Sequence, residues 1–243
     1  MPRNLSPLLW MSLYSVRPGS EERGYHQWLR DLDNPFFNSR PGIVRYENWQ
    51  VASVPVGTVP FDYFDLFFVD EALGPDGHVP FEGEQEAAFA RGWNDLWGLA
   101  PDGYLEESGA NIVRCRLVAE PDDVVRTNHV VLIGTTPREG AQAEGYDDWL
   151  RTVDNPFLNS LPEIVSYSNW RVEHAHLGPI RFTDFDLMHV SDAAGWERMV
   201  GNDAMREFAE GWIRQWGPVP DGSFEDNFFV VVGELIAAPG FAP

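Results

Sequence analysis

The chain contains no lysine: all seventeen of its basic residues are arginine. Without an ε-amine it cannot form a Schiff base with a carbonyl substrate or pyridoxal phosphate, and it cannot supply the lysine of a P-loop. A single cysteine, Cys115, rules out internal disulfides, iron–sulfur clusters held by the chain's own four thiolates and cysteine-rich zinc sites. Positive charge is scarce. Thirty-eight Asp and Glu give a formal net charge of -21 over 243 residues, so neither nucleic acid nor an acidic membrane surface is an expected partner. No run approaches the roughly 20 apolar residues of a membrane span. Leu8 to Val16 has the apolar character of a short export signal, but no basic cluster or cleavage site frames it, and the expected location is cytoplasmic. GxSxG, HExxH and GxGxxG patterns in the required context are also missing.

The chain does contain an internal repeat. Tyr25 to Val51 aligns without a gap on Tyr146 to Val172 with 17 identities in 27 positions, which reads as a tandem duplication. Further on, FDYFDL (Phe61 to Leu66) matches FTDFDL (Phe182 to Leu187), and FARGW (Phe89 to Trp93) matches FAEGW (Phe208 to Trp212). Leu9 to Tyr14 falls on His129 to Gly134, so the apolar N-terminal run is expected to be a strand rather than a signal.

Each half reads as six elements. Leu8 to Tyr14 has strand length. Glu21 to Leu32 is helical, with Trp28, Leu29 and Leu32 on one face, and Asp33-Asn34-Pro35 is expected to end it, because proline disfavours helical geometry in the residue before it. Ile43 to Ser53 and Tyr63 to Val69 alternate and are rich in β-branched and aromatic residues, so they form two strands joined through Pro55 to Pro60. Glu84 to Trp97 is a second helix with Phe89, Trp93 and Trp97 at a spacing of four. Asn111 to Val118 is a fourth strand, entered through a turn at Pro101-Asp102-Gly103. The order β-α-β-β-α-β is the ferredoxin-like unit, of α+β class. Its helices cover one sheet face and leave the other bare. Two such units, at 5–121 and 125–240, can cover each other's bare faces in one pseudo-twofold α+β barrel, with neither half stable alone.

That element order, over nearly the whole chain, resembles the dimeric α+β barrel superfamily, which includes EthD-like proteins, antibiotic-type monooxygenases and muconolactone isomerases. The resemblance implies a pocket in each half, between sheet and helices or at the barrel mouth, for a small hydrophobic and often aromatic molecule. It also implies chemistry without an organic cofactor in many members, and haem in some. The cofactor expectation here is none, and the chain is expected to be a monomeric pseudodimer or a homodimer.

Candidate site residues come from comparing the halves. Residues identical in both are expected to serve the shared fold, and polar residues that differ are expected to mark a specialised pocket. By this rule the Asp33-Asn34-Pro35-Phe36 segment, repeated from Asp154, is a turn motif. Tyr46 and Asn48 share a strand face with Trp49 on the other, as do Tyr167 and Asn169 with Trp170. Each Tyr–Asn pair could hold either a substrate oxygen or the barrel seam. Asp65 and Asp186 lie in apolar strands, where burial raises a carboxylate's pKa towards the range of a general base. A tight turn at Gly178-Pro179 would instead pair Asp186 with Arg171.

His174 and His176 alternate on one strand, and the same register places His189 beside them, where the first half has Ser53, Pro55 and Phe68. Together they suggest acid–base chemistry or, alternatively, a zinc or iron site with an open position. Arg45 and Glu47, opposite Ser166 and Ser168 in the other half, either pair at the surface or line a pocket. Cys115 reads as buried and inert.

The function expected is a cofactor-independent lyase, isomerase, cyclase or dehydratase acting on a small hydrophobic, aromatic or polyketide-like molecule. His189, His174, Asp186 and Asp65 would be the proton carriers. Tyr167, Asn169, Trp170, Tyr46, Arg45, Glu47 and His176 would bind substrate. Cofactorless oxygenation and non-catalytic binding are the alternatives.

Overall fold

The computed structural model describes residues 6–71, 83–99, 110–121, 123–178, 182–217 and 228–241. The first half contains β1 (Leu8–Tyr14), α1 (Tyr25–Trp28), α2 (Asn34–Asn38), β2 (Ile43–Val56), β3 (Tyr63–Val69), α3 (Glu84–Leu96) and β4 (Asn111–Ala119). The second contains β5 (His129–Thr135), α4 (Tyr146–Trp149), α5 (Asn155–Asn159), β6 (Ile164–Leu177), β7 (Asp184–Val190), α6 (Gly195–Val200), α7 (Asp203–Gln215) and β8 (Phe228–Ala237). The expected Pro101 to Gly103 turn lies outside the described residues.

The eight strands of the described residues join one closed barrel in the order β1-β3-β2-β8-β5-β7-β6-β4, with every neighbouring pair antiparallel. Within each half the order is ferredoxin-like, and the β2–β8 and β4–β6 pairings join the halves. Closure leaves no sheet edge to aggregate. Strands at equivalent positions run in the same direction, so corresponding residues of the two halves face the same end of the barrel.

Alternation along each strand divides its side chains between two environments. The barrel interior is filled by residues that include Leu9, Met11, Trp49, Phe64, Leu66, Trp170, Phe185, Leu187 and Phe229. Each such large apolar side chain taken out of water is worth about 1.5–3 kcal/mol. Cys115 belongs to this core, and burial pushes its thiol well above the usual range, so it is inert. The outer face packs under the helices, around Tyr25 and Trp97 in the first half and around Met188 and Met199 in the second. No described helix is long and apolar enough to cross a membrane.

The first helix departs from expectation. It does not stop at Asp33-Asn34-Pro35. After α1 it widens into a π-helical turn, Leu29–Asp33, and continues as α2 with Pro35 in its first turn, and the second half repeats this with Leu150–Asp154 and α5. In a regular helix the proline ring would crowd the carbonyl four residues back. The wider turn lets the Asn34 N–H bond to the Leu29 carbonyl instead, so the chain continues past the proline. The helix also begins at Tyr25 rather than Glu21, because Gly24 takes a left-handed conformation (φ 95°). Leu32, expected on the packed face, is 55% exposed.

The β6–β7 register also differs. Asn169 lies opposite Asp186 and Arg171 opposite Asp184, and the expected turn at Gly178-Pro179 falls partly outside the described residues. The arginine therefore pairs with Asp184 at 2.7 Å, not with Asp186.

Candidate functional site

Each half holds a cavity between the outer face of its sheet and its helices, and at the floor of each lie two carboxylates, all buried but Asp186, which is half-buried. In the first half Asp65 comes from β3, Tyr46 and Asn48 from β2, and Asp33 from the end of the π-helical turn. Asn48 stands directly opposite Asp65 in the strand register. The Tyr46 hydroxyl is 2.7 Å from Asp33 Oδ2 and 2.9 Å from Asp65 Oδ2. The Asn48 amide nitrogen is 2.9 Å from Asp33 Oδ2 and 3.0 Å from Asp65 Oδ1. Its orientation is fixed by Asn34, whose amide donates to Asn48 Oδ1 at 2.9 Å.

The second half repeats the arrangement. The Tyr167 hydroxyl donates to Asp154 Oδ2 at 2.9 Å. The Asn169 amide donates to Asp154 Oδ2 at 2.9 Å and to Asp186 Oδ1 at 2.8 Å, and Asn155 holds Asn169 Oδ1 at 3.1 Å.

This geometry sets the protonation. The phenol of Tyr46 has one proton and two carboxylate oxygens within hydrogen-bond reach, so the second contact requires a proton on one of the aspartates. Electrostatics agree. Burial pushes Asp33 up to about 7 and Asp154 up to about 6, against the pull of the Tyr and Asn donors. Asp65 and Asp186 are raised well above the carboxylate range, first by burial and then by repulsion from the partner aspartate. Two carboxyls sharing a proton can accept at one oxygen while donating at another.

The two cavities differ in size, with about 70 Å³ in the first half and about 260 Å³ in the second. Where the first half places Tyr14, Phe37 and Phe67, the second has Thr135, Leu158 and Met188. The larger cavity is walled by Ile133, Trp196, Met205, Phe208 and Trp212, with Arg206 also lining it.

Asp65, Asp186, Tyr46, Tyr167 and Asn169 are thus brought together as sequence-selected candidates, and Asn48 joins them. Asp33 and Asp154, expected to serve a turn, line the two cavities instead. The signal that could have found them is the aspartate immediately before Asn-Pro, which a continuing helix turns inward.

His174 and His176 share the outer face, but His189 does not join them. The β4–β6 pairing jumps from Val172↔Cys115 to His174↔Arg114, so β6 carries a bulge at Glu173. Ala175 then packs into the barrel core beside Val172, while His174 and His176 are exposed on the outside, the latter edge-on to Trp10. His189 lies inside the barrel. Its Nδ1 accepts from the Thr127 N–H at 3.3 Å, and burial pulls the imidazole down to about 4 despite the Glu47 carboxylate nearby, so it is neutral at physiological pH.

Arg45 and Glu47 do pair, but not at the surface. Glu47 is 1% exposed at the same end of the barrel, where it also meets Arg126 at 3.2 Å and accepts from Trp49 Nε1 at 3.2 Å. Trp170 is likewise interior, donating to Ser168 at 2.9 Å. None of these residues lines either carboxylate cavity. Among the described residues no group of histidine, cysteine or carboxylate side chains is arranged to hold a metal ion.

Solved structures share this architecture across nearly the whole chain. A proposed monooxygenase from Lactobacillus acidophilus NCFM superposes with a TM-score of 0.59 at 10% identity, over 96% of this chain and 95% of its own. A proposed monooxygenase from Fusobacterium nucleatum gives 0.62 at 7% identity, over 97% and 95%. An anthrone oxidase-like protein gives 0.57 at 10% identity, over 95% and 91%. The chain has the dimeric α+β barrel fold. At these identities the likeness concerns the fold alone. A family model described as REDY-like protein HapK matches residues 129–221, the part of the dimeric α+β barrel that carries Asp154, Tyr167, Asp186 and Trp212. No curated protein matches the chain.

Proposed function

We propose that this protein is a cofactor-independent enzyme that moves a proton on a small hydrophobic molecule in the second-half cavity, in a lyase, isomerase, cyclase or dehydratase step. The observation that carries this reading is the Asp154–Asp186 pair, with Asp154 buried and Asp186 half-buried, bridged by Asn169 with Tyr167 on Asp154, and open to an apolar cavity of about 260 Å³. The pair would act as a unit, its ionised member taking a proton from an activated carbon of an aromatic or polyketide-like substrate while Asp186 holds the other proton. The proton shared within the pair would be returned to the product, and Tyr167 would steady the developing oxyanion. The aromatic and aliphatic walls exclude water, which strengthens each of these interactions. On this reading the chain is a tandem duplication with units at 5–121 and 125–240, and the second unit does the work.

The test is turnover of a panel of phenolic and polyketide-like substrates by the wild type and Asp186→Asn, with and without oxygen. Oxygen-independent turnover that Asp186→Asn abolishes is the expected result, and turnover indifferent to this substitution would sink the assignment. Cofactorless oxygenation is the second reading, favoured by the monooxygenase and oxidase descriptions of the structural relatives. Strict dependence on oxygen would select it. Ligand binding with no turnover at all would leave a binding protein.

A further inference from the structure

The first half shows what the second half's cavity lacks. At the end of β1, Tyr14 pushes its phenol into the first cavity, donating to Asp65 Oδ1 at 3.2 Å and accepting from the Tyr25 hydroxyl at 3.1 Å. Its ring stands edge-on to Trp93 at 5.5 Å, and Trp93 Nε1 in turn donates to Tyr25 at 3.1 Å. In the second half every group that touches Tyr14 through these contacts has its counterpart. Asp186 replaces Asp65, Tyr146 replaces Tyr25, and Trp212 replaces Trp93, with Trp212 Nε1 donating to the Tyr146 hydroxyl at 3.2 Å. Only the phenol is gone, since β5 places Thr135 at that position.

The consequences can be seen atom by atom. Among the described residues the Tyr146 hydroxyl proton meets no acceptor, whereas its counterpart bonds to Tyr14. The Thr135 hydroxyl, on a residue only 2% exposed, lines the cavity with no hydrogen-bond partner. Asp186 is partly accessible where Asp65 is buried. Unsatisfied buried hydroxyls are costly, and each is relieved by a ligand that completes its bonds.

We infer that the second-half cavity accepts a phenol, an aromatic ring whose hydroxyl donates to Asp186 and accepts from Tyr146 with the ring lying against Trp212. This rests on the reading of that cavity as the working site and narrows its substrate class to hydroxy-aromatics. The cavity is larger than the space one ring needs, so substituents extend towards Trp196 and Met205.

The probe is 4-methylphenol, the side chain of tyrosine itself, titrated calorimetrically into the full chain, with toluene as the analogue lacking the hydroxyl. The expected result is one site per chain for 4-methylphenol, with toluene about 10- to 100-fold weaker, as befits leaving buried polar groups without the hydrogen bonds the phenol supplies. Thr135→Tyr should rebuild the first-half arrangement and abolish binding while the thermal transition is retained. Tyr14→Thr should open a second site. Equal affinity for the two probes, or undiminished binding by Thr135→Tyr, overturns the inference. Loss of hydroxyl selectivity with Asp186-dependent turnover intact overturns the phenol assignment alone. Hydroxyl-selective binding that Thr135→Tyr abolishes supports it even if no turnover depends on Asp186, in which case the catalytic reading alone falls.

Discussion

The two halves carry the same pair of aspartates with the same Tyr and Asn, yet one pair opens onto about 70 Å³ and the other onto about 260 Å³. In the first half Tyr14, Phe37 and Phe67 fill the space above the carboxyls. In the second, Thr135, Leu158 and Met188 leave it empty. Chemical capacity and access are therefore separable in this fold. The polar residues that define the chemistry are shared, and the side chains that decide whether a molecule can reach it sit on β1 and β5, β3 and β7, and the short helices α2 and α5.

The largest expected effect breaks the comparison at the carboxylates. Asp186→Asn should lower the turnover of a hydroxy-aromatic substrate by about 10²- to 10⁴-fold, whereas Asp65→Asn should leave it unchanged, measured as kcat at saturating substrate. Next comes the plug. Tyr14→Thr should cost about 3 kcal/mol in urea denaturation, through lost burial and the cavity it leaves, while Thr135→Tyr should raise stability by filling its own.

A third comparison uses pH. A carboxyl whose native pKa is raised binds more protons folded than unfolded, so its contribution favours the fold below the unfolded value of about 4 and is lost as pH rises through the native one. Stability should fall between about pH 4 and about 7 for the Asp33 site and by about 6 for the Asp154 site. Asp33→Asn should therefore flatten the upper part of the profile more than Asp154→Asn does. The smallest effect belongs to the barrel interior. His189→Phe, which copies Phe68, should leave 4-methylphenol affinity unchanged and shift stability by less than about 1.5 kcal/mol.

Much of the architecture was legible in the residues. The strand alternation and the split of Tyr46 and Asn48 from Trp49 follow from periodicity and hold in the barrel, whereas the expected alignment of β1 on β5 is off by one, Thr135 rather than Gly134 standing where Tyr14 does. The burial-raised pKa of Asp65 and Asp186 followed from their apolar neighbours. Reading shared residues as merely structural hid Asp33 and Asp154, because a proline after Asp-Asn signals a helix end unless the backbone widens into a π-helical turn. Reading unshared residues as functional favoured the histidines, which a one-residue bulge at Glu173 and the barrel wall separate.

The sequence alone determined that the two halves share a repeated segment, that the chemistry has no lysine to use, and which polar residues share a strand face, since these depend on composition and on a period of two. The tertiary structure decided which carboxyls lie together, which pocket has room for a molecule and which way each histidine points. Those outcomes depend on strand register, on one bulge and on the width of one helical turn, where a shift of a single residue moves a side chain from one face of the sheet to the other.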